Sequence, residues 1–201
     1  MAVYGLTGGI GAGKSTVCQL LQELGVAVVF ADDVGRQVVA RGSAGLATVV
    51  AAFGEEILDN SGALDRKKLG ALVFNNPDKR RQLEAILHPL VKQRSQALFR
   101  QLCNQGEPIV VYESALLFES QRHLEMQANI VVTASEAQRV ARVQQRDGCT
   151  VEDVRARIRA QLDEAEKCRM ADYVIDNNGN VEDLRRQVQA LLTTLRASAE
   201  T

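Results

Sequence analysis

Gly8-Gly9-Ile10-Gly11-Ala12-Gly13-Lys14-Ser15 fits the pattern G-x-x-x-x-G-K-[ST] of a phosphate-binding loop. The apolar residues 3–6 precede the loop and predict a buried strand. Apolar residues after the loop recur at the spacing of one helix face: Val17, Leu20, Leu21 and Leu24. A strand, a glycine-rich turn and a helix are the context that the motif requires. The segment therefore predicts a nucleoside triphosphate site rather than an ordinary glycine-rich turn.

Each residue type in the loop suits a triphosphate. Glycines let backbone N–H groups approach phosphate oxygens, and a helix N-terminus adds a partial positive charge. Lys14 supplies a full charge for the β- and γ-phosphates, and the Ser15 hydroxyl is a ligand type that Mg²⁺ prefers. The predicted nucleotide-binding residues are Gly8, Gly9, Gly11, Ala12, Gly13, Lys14, Ser15 and Thr16, with Ser15 as the metal ligand.

The composition restricts the class of protein. The chain has 201 residues, a formal net charge of −1 and a pI near 6.2, which give no sign of a nucleic-acid or membrane partner. No run approaches 18 apolar residues and the N-terminus lacks the pattern of a signal peptide. Four scattered cysteines and two histidines do not suggest a zinc site or a disulfide framework. We expect a soluble, cytoplasmic protein.

Four further apolar runs predict strands, at residues 26–30, 108–112, 130–133 and 173–175. Helical patterns separate them, so we predict an α/β fold with a five-stranded parallel sheet flanked by helices. Acidic residues follow two of these runs: Asp32 comes after residues 26–30, and Glu113 comes after residues 108–112. Functional groups gather beyond the carboxyl ends of parallel strands, although Asp32 could equally be the N-cap of a helix that brings Arg36 to its side.

Residues 36–107 contain no convincing strand and predict a helical lobe. Ser43 and Asp65 are candidate N-caps of its first two helices. A third helix carries Leu83, and Pro89 is at the position where an N1 proline would open a fourth. A lobe of this length can hold a second substrate, with structural filler as the alternative.

A stripe of arginines follows the fourth strand: Arg139, Arg142 and Arg146. Such a stripe is either a solvated face or part of a lid over the phosphates, and we expect a lid at about residues 139–169. Asn177 begins an Asn-Asn-Gly segment after the fifth strand, which is either a simple turn or a loop that contacts the base or ribose.

Other P-loop classes fit less well. GTPases need an N-K-x-D sequence that this chain lacks, and motor ATPases are usually larger. A small chain with a helical insertion, an arginine-rich lid and an acid after the second strand favours a small-molecule kinase. A non-catalytic nucleotide-dependent interaction module is the alternative from another class.

The chain resembles the dephospho-coenzyme A kinase family over nearly its whole length. The resemblance is carried by residues 5–15, Ala31-Asp32 with Arg36, residues 83–89 (Leu-Glu-Ala-Ile-Leu-His-Pro), residues 116–119 (Leu-Leu-Phe-Glu), Arg142 with residues 145–147, Gln161, and residues 171–179. It implies a P-loop nucleotide-kinase fold in one domain. That domain comprises a core at about 1–35, 108–138 and 170–201, the helical lobe and the lid. The chain departs from the family pattern at Phe30, which replaces an Asp, and at Glu113-Ser114-Ala115, where the family usually has Asp-Val-Pro or Asp-Ile-Pro. Glu113 keeps the charge, whereas Ala115 replaces the Pro.

The resemblance also implies an activity and its residues. ATP would give its γ-phosphoryl group to the ribose 3′-hydroxyl of dephospho-CoA, with another nucleoside or nucleotide kinase as the alternative. Asp32, Lys14 and Arg142 would be catalytic, and Arg146 and Asn177 would help to bind ATP. The implied acceptor contacts are Asp32, Arg36, His88, Leu116 and Glu119, although a structural role is favoured for His88. We expect a monomer or a weak homo-oligomer.

Overall fold

The computed structural model describes residues 1–74 and 76–199, which contain both strands and helices. The strands of this part of the chain are β1 Ala2–Thr7, β2 Ala27–Phe30, β3 Ile109–Glu113, β4 Ala128–Thr133 and β5 Tyr173–Asp176. Its α-helices are α1 Lys14–Glu23, α2 Ala31–Val38, α3 Ala44–Phe53, α4 Arg66–Phe74, α5 Pro77–Asn104, α6 Glu136–Asp147, α7 Val151–Arg159, α8 Glu164–Met170 and α9 Val181–Ala199. None of the helices in these two ranges is both long enough and apolar enough to span a membrane.

The strands form one sheet in the order β2-β3-β1-β4-β5. The central strand β1 pairs in parallel with β3 and β4, and β4 pairs in parallel with β5. In this register Leu6 is opposite Glu113, and Thr133 is opposite Asp176. The sheet confirms the predicted five-stranded α/β fold. It also brings the carboxyl ends of β1, β3, β4 and β5 to one edge.

The chain forms two compact units, Met1–Val29 with Gln101–Thr201 and Phe30–Arg100. In the first unit the central strands are buried on both faces, as a parallel sheet requires. Helix α9 buries one apolar side against the same unit, with residues at the spacing of one helix face: Leu184, Val188, Leu191 and Leu195.

The second unit is helical and has its own core of Val39, Val49, Phe53, Ile57 and Leu69. Both predicted N-caps are confirmed. The Ser43 hydroxyl accepts the amide of Leu46 at 3.1 Å, and the Asp65 carboxylate accepts the amides of Lys67 and Lys68 at 3.0 and 3.1 Å.

Helix α5 corrects one expectation. We predicted separate helices on either side of His88-Pro89, but Pro77–Asn104 is a single helix with Pro89 inside it. A proline removes one backbone donor and crowds one turn, and tertiary packing can outweigh that penalty. Leu83, Ile86 and Leu87 pack against the core of the second unit and hold the N-terminal half of the helix. His88 is consequently an exposed residue inside a helix and not at a helix start.

Candidate active site

The phosphate loop connects β1 to α1 in the first unit. Gly11 and Gly13 have φ of +77° and +97°, a region that favours glycine. In the part of the chain that the structure describes, the backbone amides of Gly11, Gly13 and Ser15 donate no hydrogen bond to the protein. Three such donors beside a helix N-terminus form an anion site. Ala12 and Thr16 were also predicted to bind the nucleotide, but their amides donate to the carbonyls of Gly9 and Gly13, at 3.0 and 3.1 Å.

Side chains from distant parts of the sequence hold the carbonyls of the loop. Arg139 Nε donates to the Ile10 carbonyl at 3.0 Å, and Asn177 Nδ2 donates to the Ala12 carbonyl at 2.8 Å. The Ile10 amide donates to Gln161 Oε1 at 2.8 Å. Because these bonds fix the peptide groups from outside, they also fix the directions of the neighbouring amides.

Lys14 lies between the loop and the end of β3. Its Nζ donates to the Gly8 carbonyl at 3.0 Å and is 4.0 Å from Glu113 Oε1. Both side chains are mostly buried, with 15% and 13% of their surfaces exposed. A lysine held by a carbonyl and near a carboxylate is positioned to receive an anion in the loop.

The three arginines of α6 have different environments. Arg139 is buried, and burial lowers its pKa below the ordinary value. Arg142 is half-buried and donates to the Asn177 carbonyl at 2.8 Å and to Gln138 Oε1 at 3.1 Å. Its Nη1 is also 3.4 Å from the carbonyls of Gly11 and Ala12. The alternative of a solvated face is therefore wrong for Arg139 and Arg142.

Arg146 is the exposed member of the stripe. It donates to Asp147 through Nε at 2.7 Å and through Nη2 at 3.0 Å. Arg157 of α7 donates to the same carboxylate at 2.9 Å. The hydrogen bond from Arg146, followed by that from Arg157, lowers the pKa of Asp147 to about 2. These contacts connect the end of α6 to α7.

The Leu-Leu-Phe-Glu segment contains two of the predicted acceptor contacts, Leu116 and Glu119, and their environments differ. Leu116 is 51% exposed. Glu119 Oε1 accepts the amide of Leu162 at 3.1 Å and forms an ion pair at 3.1 Å with Lys167 Nζ, whose side chain is buried. Burial of the Glu119 carboxyl acts to raise its pKa. Hydrogen bonds from its own amide, from Leu162 and from Lys167 outweigh that effect, and the pKa lies below the ordinary value.

Asp32 and Arg36 lie together in the second unit, at a cavity of about 490 Å³. Its polar lining comes from Asp32, Arg36 and Arg66, and its apolar walls include Val39, Leu64, Leu69, Val73, Leu83 and Leu87. The N-cap of α2 is Phe30, so Asp32 is within the first turn and is not the cap. Arg36 is paired with Asp33 at 2.5 Å. Among the described residues, no group donates a hydrogen bond to the Asp32 carboxylate.

His88 is not among the residues that line this cavity, although its neighbour Leu87 is. Three residues of these sites have no local signal in the sequence. Arg66 has no motif around it, Gln161 is marked only by the family resemblance, and Glu164 is marked by neither. Gln161 contacts Ile10 and Glu164 contacts Arg139, and a contact between residues far apart in the chain leaves no local signal in the sequence.

The fold and the loop together define a class. A parallel sheet whose central strand runs into a glycine-rich loop, with a lysine at the first position of the next helix, is a P-loop nucleotide-binding protein. The sheet and its flanking helices further correspond to the P-loop kinase fold.

Comparison with known proteins identifies the family. The family model described as dephospho-CoA kinase matches residues 2–183. The dephospho-CoA kinase of Geobacillus kaustophilus is 46% identical over 188 residues, which cover 94% of each chain. The structure of TT1252 from Thermus thermophilus has a TM-score of 0.82 at 36% identity, covering 96% of this chain and 97% of that one. The dephospho-CoA kinase of Campylobacter jejuni has a TM-score of 0.72 at 26% identity, covering 96% of both chains. The chain belongs to the dephospho-CoA kinase family, which confirms the resemblance found in its sequence.

Proposed function

We propose that this protein transfers the γ-phosphoryl group of ATP to the ribose 3′-hydroxyl of dephospho-CoA, giving coenzyme A and ADP. The observation that carries the proposal is the phosphate loop, in which Lys14 and three amides that bond to no described residue form an anion site in a chain of this family. Phosphoryl transfer depends mainly on positioning and on electrostatic stabilisation, and those are the properties that such a loop supplies.

In this proposal the residues of the first unit act on the nucleotide. The amides of Gly11, Gly13 and Ser15 hold phosphate oxygens, and Lys14 leaves the Gly8 carbonyl to neutralise the β- and γ-phosphates. Arg142 adds positive charge as negative charge develops on the transferred group. Its Nη1 is 3.4 Å from the carbonyls of Gly11 and Ala12, so the guanidinium group lies beside the loop. Arg146, Asn177 and Thr16 complete the proposed nucleotide-binding set.

The donor set fits Mg²⁺. Mg²⁺ in kinases is usually held by one or two protein groups together with phosphate oxygens and water. Among the described residues, no His, Cys, Asp or Glu cluster of three or more could form an all-protein metal site. The Ser15 hydroxyl is in an exposed residue at the start of α1 and makes no hydrogen bond to a described residue. Ser15 would hold the ion, and Glu113 would orient its water ligands. Bound with ATP, the ion would neutralise charge on the β- and γ-phosphates.

The acceptor is proposed to use the second unit. Asp32 would accept the proton of the 3′-hydroxyl, which increases the nucleophilicity of that oxygen. The nearby cavity has apolar walls and two arginines, Arg36 and Arg66, a combination that suits an acceptor with an apolar chain and phosphate groups. His88, Leu116 and Glu119 remain predicted acceptor contacts, and we place less weight on His88 because it is not in the cavity lining.

An acceptor panel tests the proposal. ADP release is measured with ATP, Mg²⁺ and one acceptor at a time: dephospho-CoA, AMP, adenosine or shikimate. Of the four acceptors, we expect only dephospho-CoA to give acceptor-dependent ADP release. Its product should be phosphorylated at the ribose 3′ position. Turnover with AMP or adenosine would instead support another nucleoside or nucleotide kinase. ATP binding without any acceptor-dependent turnover would reject the kinase assignment.

A further inference from the structure

Arg139 connects the phosphate loop to two other elements of the first unit. Only 4% of the residue is exposed. Its Nε donates to the Ile10 carbonyl at 3.0 Å, and its Nη1 is paired with the Glu164 carboxylate at the start of α8. Glu164 also accepts the Ala134 amide at 3.1 Å and the Thr133 hydroxyl, at the end of β4. The guanidinium group is therefore held from both sides, by the loop carbonyl and by a carboxylate that is itself fixed.

The space beside Gly9 is filled by the same guanidinium group. Gly9 does not have a positive φ, so its backbone is open to other amino acids. A Cβ added at Gly9 would be 2.6 Å from Arg139 Cζ, which is too close for a real contact, and 3.1 Å from Nη1, which is tighter than most contacts. Space, and not backbone conformation, therefore requires glycine at this position.

The charge of Arg139 does not explain its burial. Glu164 compensates that charge, and a buried ion pair by itself adds little to stability. The pair instead holds the flat Arg139 guanidinium group in place. That group bonds to the Ile10 carbonyl and fills the space beside Gly9, and this is the side that we call the outer side of the loop. A loop that is already fixed loses less conformational freedom when its ligand binds.

We propose that Arg139 and Glu164 are positioning residues for nucleotide binding. The buried pair fixes the outer side of the phosphate loop and thereby aims the amides of Gly11 and Gly13 at the phosphates. The two residues act through the loop and not by contact with the nucleotide. The inference rests on the proposed function only in assuming that the loop binds a triphosphate.

Four proteins test the inference: the wild type, Gly9→Ala, Arg139→Ala and the double variant. The dissociation constant of a non-hydrolysable ATP analogue is measured by calorimetry without acceptor. We expect each single variant to bind about ten- to a hundredfold more weakly, because a displacement of binding groups by about 1 Å can cost about 10²-fold. The double variant should bind no more weakly than Arg139→Ala, because the added methyl group enters the space that the guanidinium has left. Wild-type affinity in Arg139→Ala, or single effects that multiply in the double variant, would overturn the inference.

Two further variants separate positioning from folding. Arg139→Met with Glu164→Gln removes both charges and keeps the volume, so we expect a folded protein, judged by thermal unfolding, that still binds the analogue weakly. Wild-type affinity in that variant would count against the inference. Arg155→Ala is the matched control, because it removes an exposed pair with Glu136 at 3.2 Å and should leave the dissociation constant unchanged.

The outcomes are distinct from those for the proposed function. A wild-type protein that binds the analogue and fails to phosphorylate dephospho-CoA would reject the function, and the binding cycle would still decide the positioning of the loop. A wild-type protein that does phosphorylate dephospho-CoA, together with additive effects in the cycle, would reject the positioning alone.

Discussion

Side chains from other elements hold the carbonyls of Ile10 and Ala12 in the phosphate loop, whereas the polar residues around the cavity of the second unit are largely exposed. The loop uses its backbone for binding and fixes that backbone by hydrogen bonds from outside. The cavity uses side chains, and most of its lining is apolar. A triphosphate presents the same oxygens in every turnover, so a preorganised set of donors suits it. A larger acceptor is better served by apolar walls with a few polar groups.

The largest expected effect comes from removing the one charged side chain that the loop itself supplies. Lys14→Ala should lower turnover by about 10³-fold or more, because loss of a charge that stabilises phosphoryl transfer has costs of that order. Turnover is measured by coupled ADP release. Gln19→Ala, on the exposed side of the same helix, should leave it unchanged. Near wild-type turnover in Lys14→Ala would show that the loop does not act on the transferred phosphate.

Asp32→Asn is the matching change in the second unit. If Asp32 accepts the hydroxyl proton, turnover should fall by about 10²- to 10⁴-fold while affinity for the ATP analogue changes little. Glu55→Gln removes an exposed carboxylate of the same unit, outside the cavity lining, and should keep turnover within about twofold of the wild type. If Asp32→Asn keeps wild-type turnover, Asp32 is not the group that accepts the proton of the 3′-hydroxyl.

Local signals in the sequence predicted much of the first unit. The loop and the five strands depend on residues a few positions apart. The N-caps at Ser43 and Asp65 in the second unit are of the same kind. Such features are readable because their interactions lie within one element.

Contacts across the sequence could not be predicted in the same way. Arg139 and Ile10 are separated by 129 positions, and Asn177 and Ala12 by 165. The stripe pattern placed three arginines on one helix, but only the packed fold determines that one is buried, one half-buried and one exposed. Pro89 was misinterpreted for a similar reason, since the packing that keeps α5 continuous comes from other helices.

The cavity of the second unit gives a smaller and more selective prediction. Arg66→Ala should raise KM for dephospho-CoA by about tenfold, the size expected for one lost charge-assisted hydrogen bond. It should leave KM for ATP unchanged, because Arg66 lines the cavity of the second unit and the phosphate loop is in the first. Steady-state kinetics with each substrate varied in turn measures both constants. Lys67→Ala is the control, since Lys67 is an exposed neighbour outside the cavity lining. Equal changes in both KM values would contradict the assignment of ATP to the phosphate loop and of the acceptor to the cavity of the second unit.

Glu119 gives the smallest effect and decides between two roles. If it is an acceptor contact, Glu119→Gln should raise KM for dephospho-CoA. If its main task is to hold Lys167 and Leu162, the variant should instead lose on the order of 1 kcal/mol of stability, allowing for its partial exposure, and about 2–4 °C in Tm.

The pH dependence separates these roles. The pKa of Glu119 is lowered in the folded protein, so its ionised form stabilises the fold above the unfolded pKa of about 4.3, and that stabilisation is lost as the pH falls through the folded pKa. The difference in Tm between the wild type and Glu119→Gln should therefore be greatest near neutral pH and close in acid, where both side chains are uncharged. Calorimetric scans across that range measure it. A difference that persists unchanged in acid would mean that the charge of Glu119 is not what holds this part of the first unit.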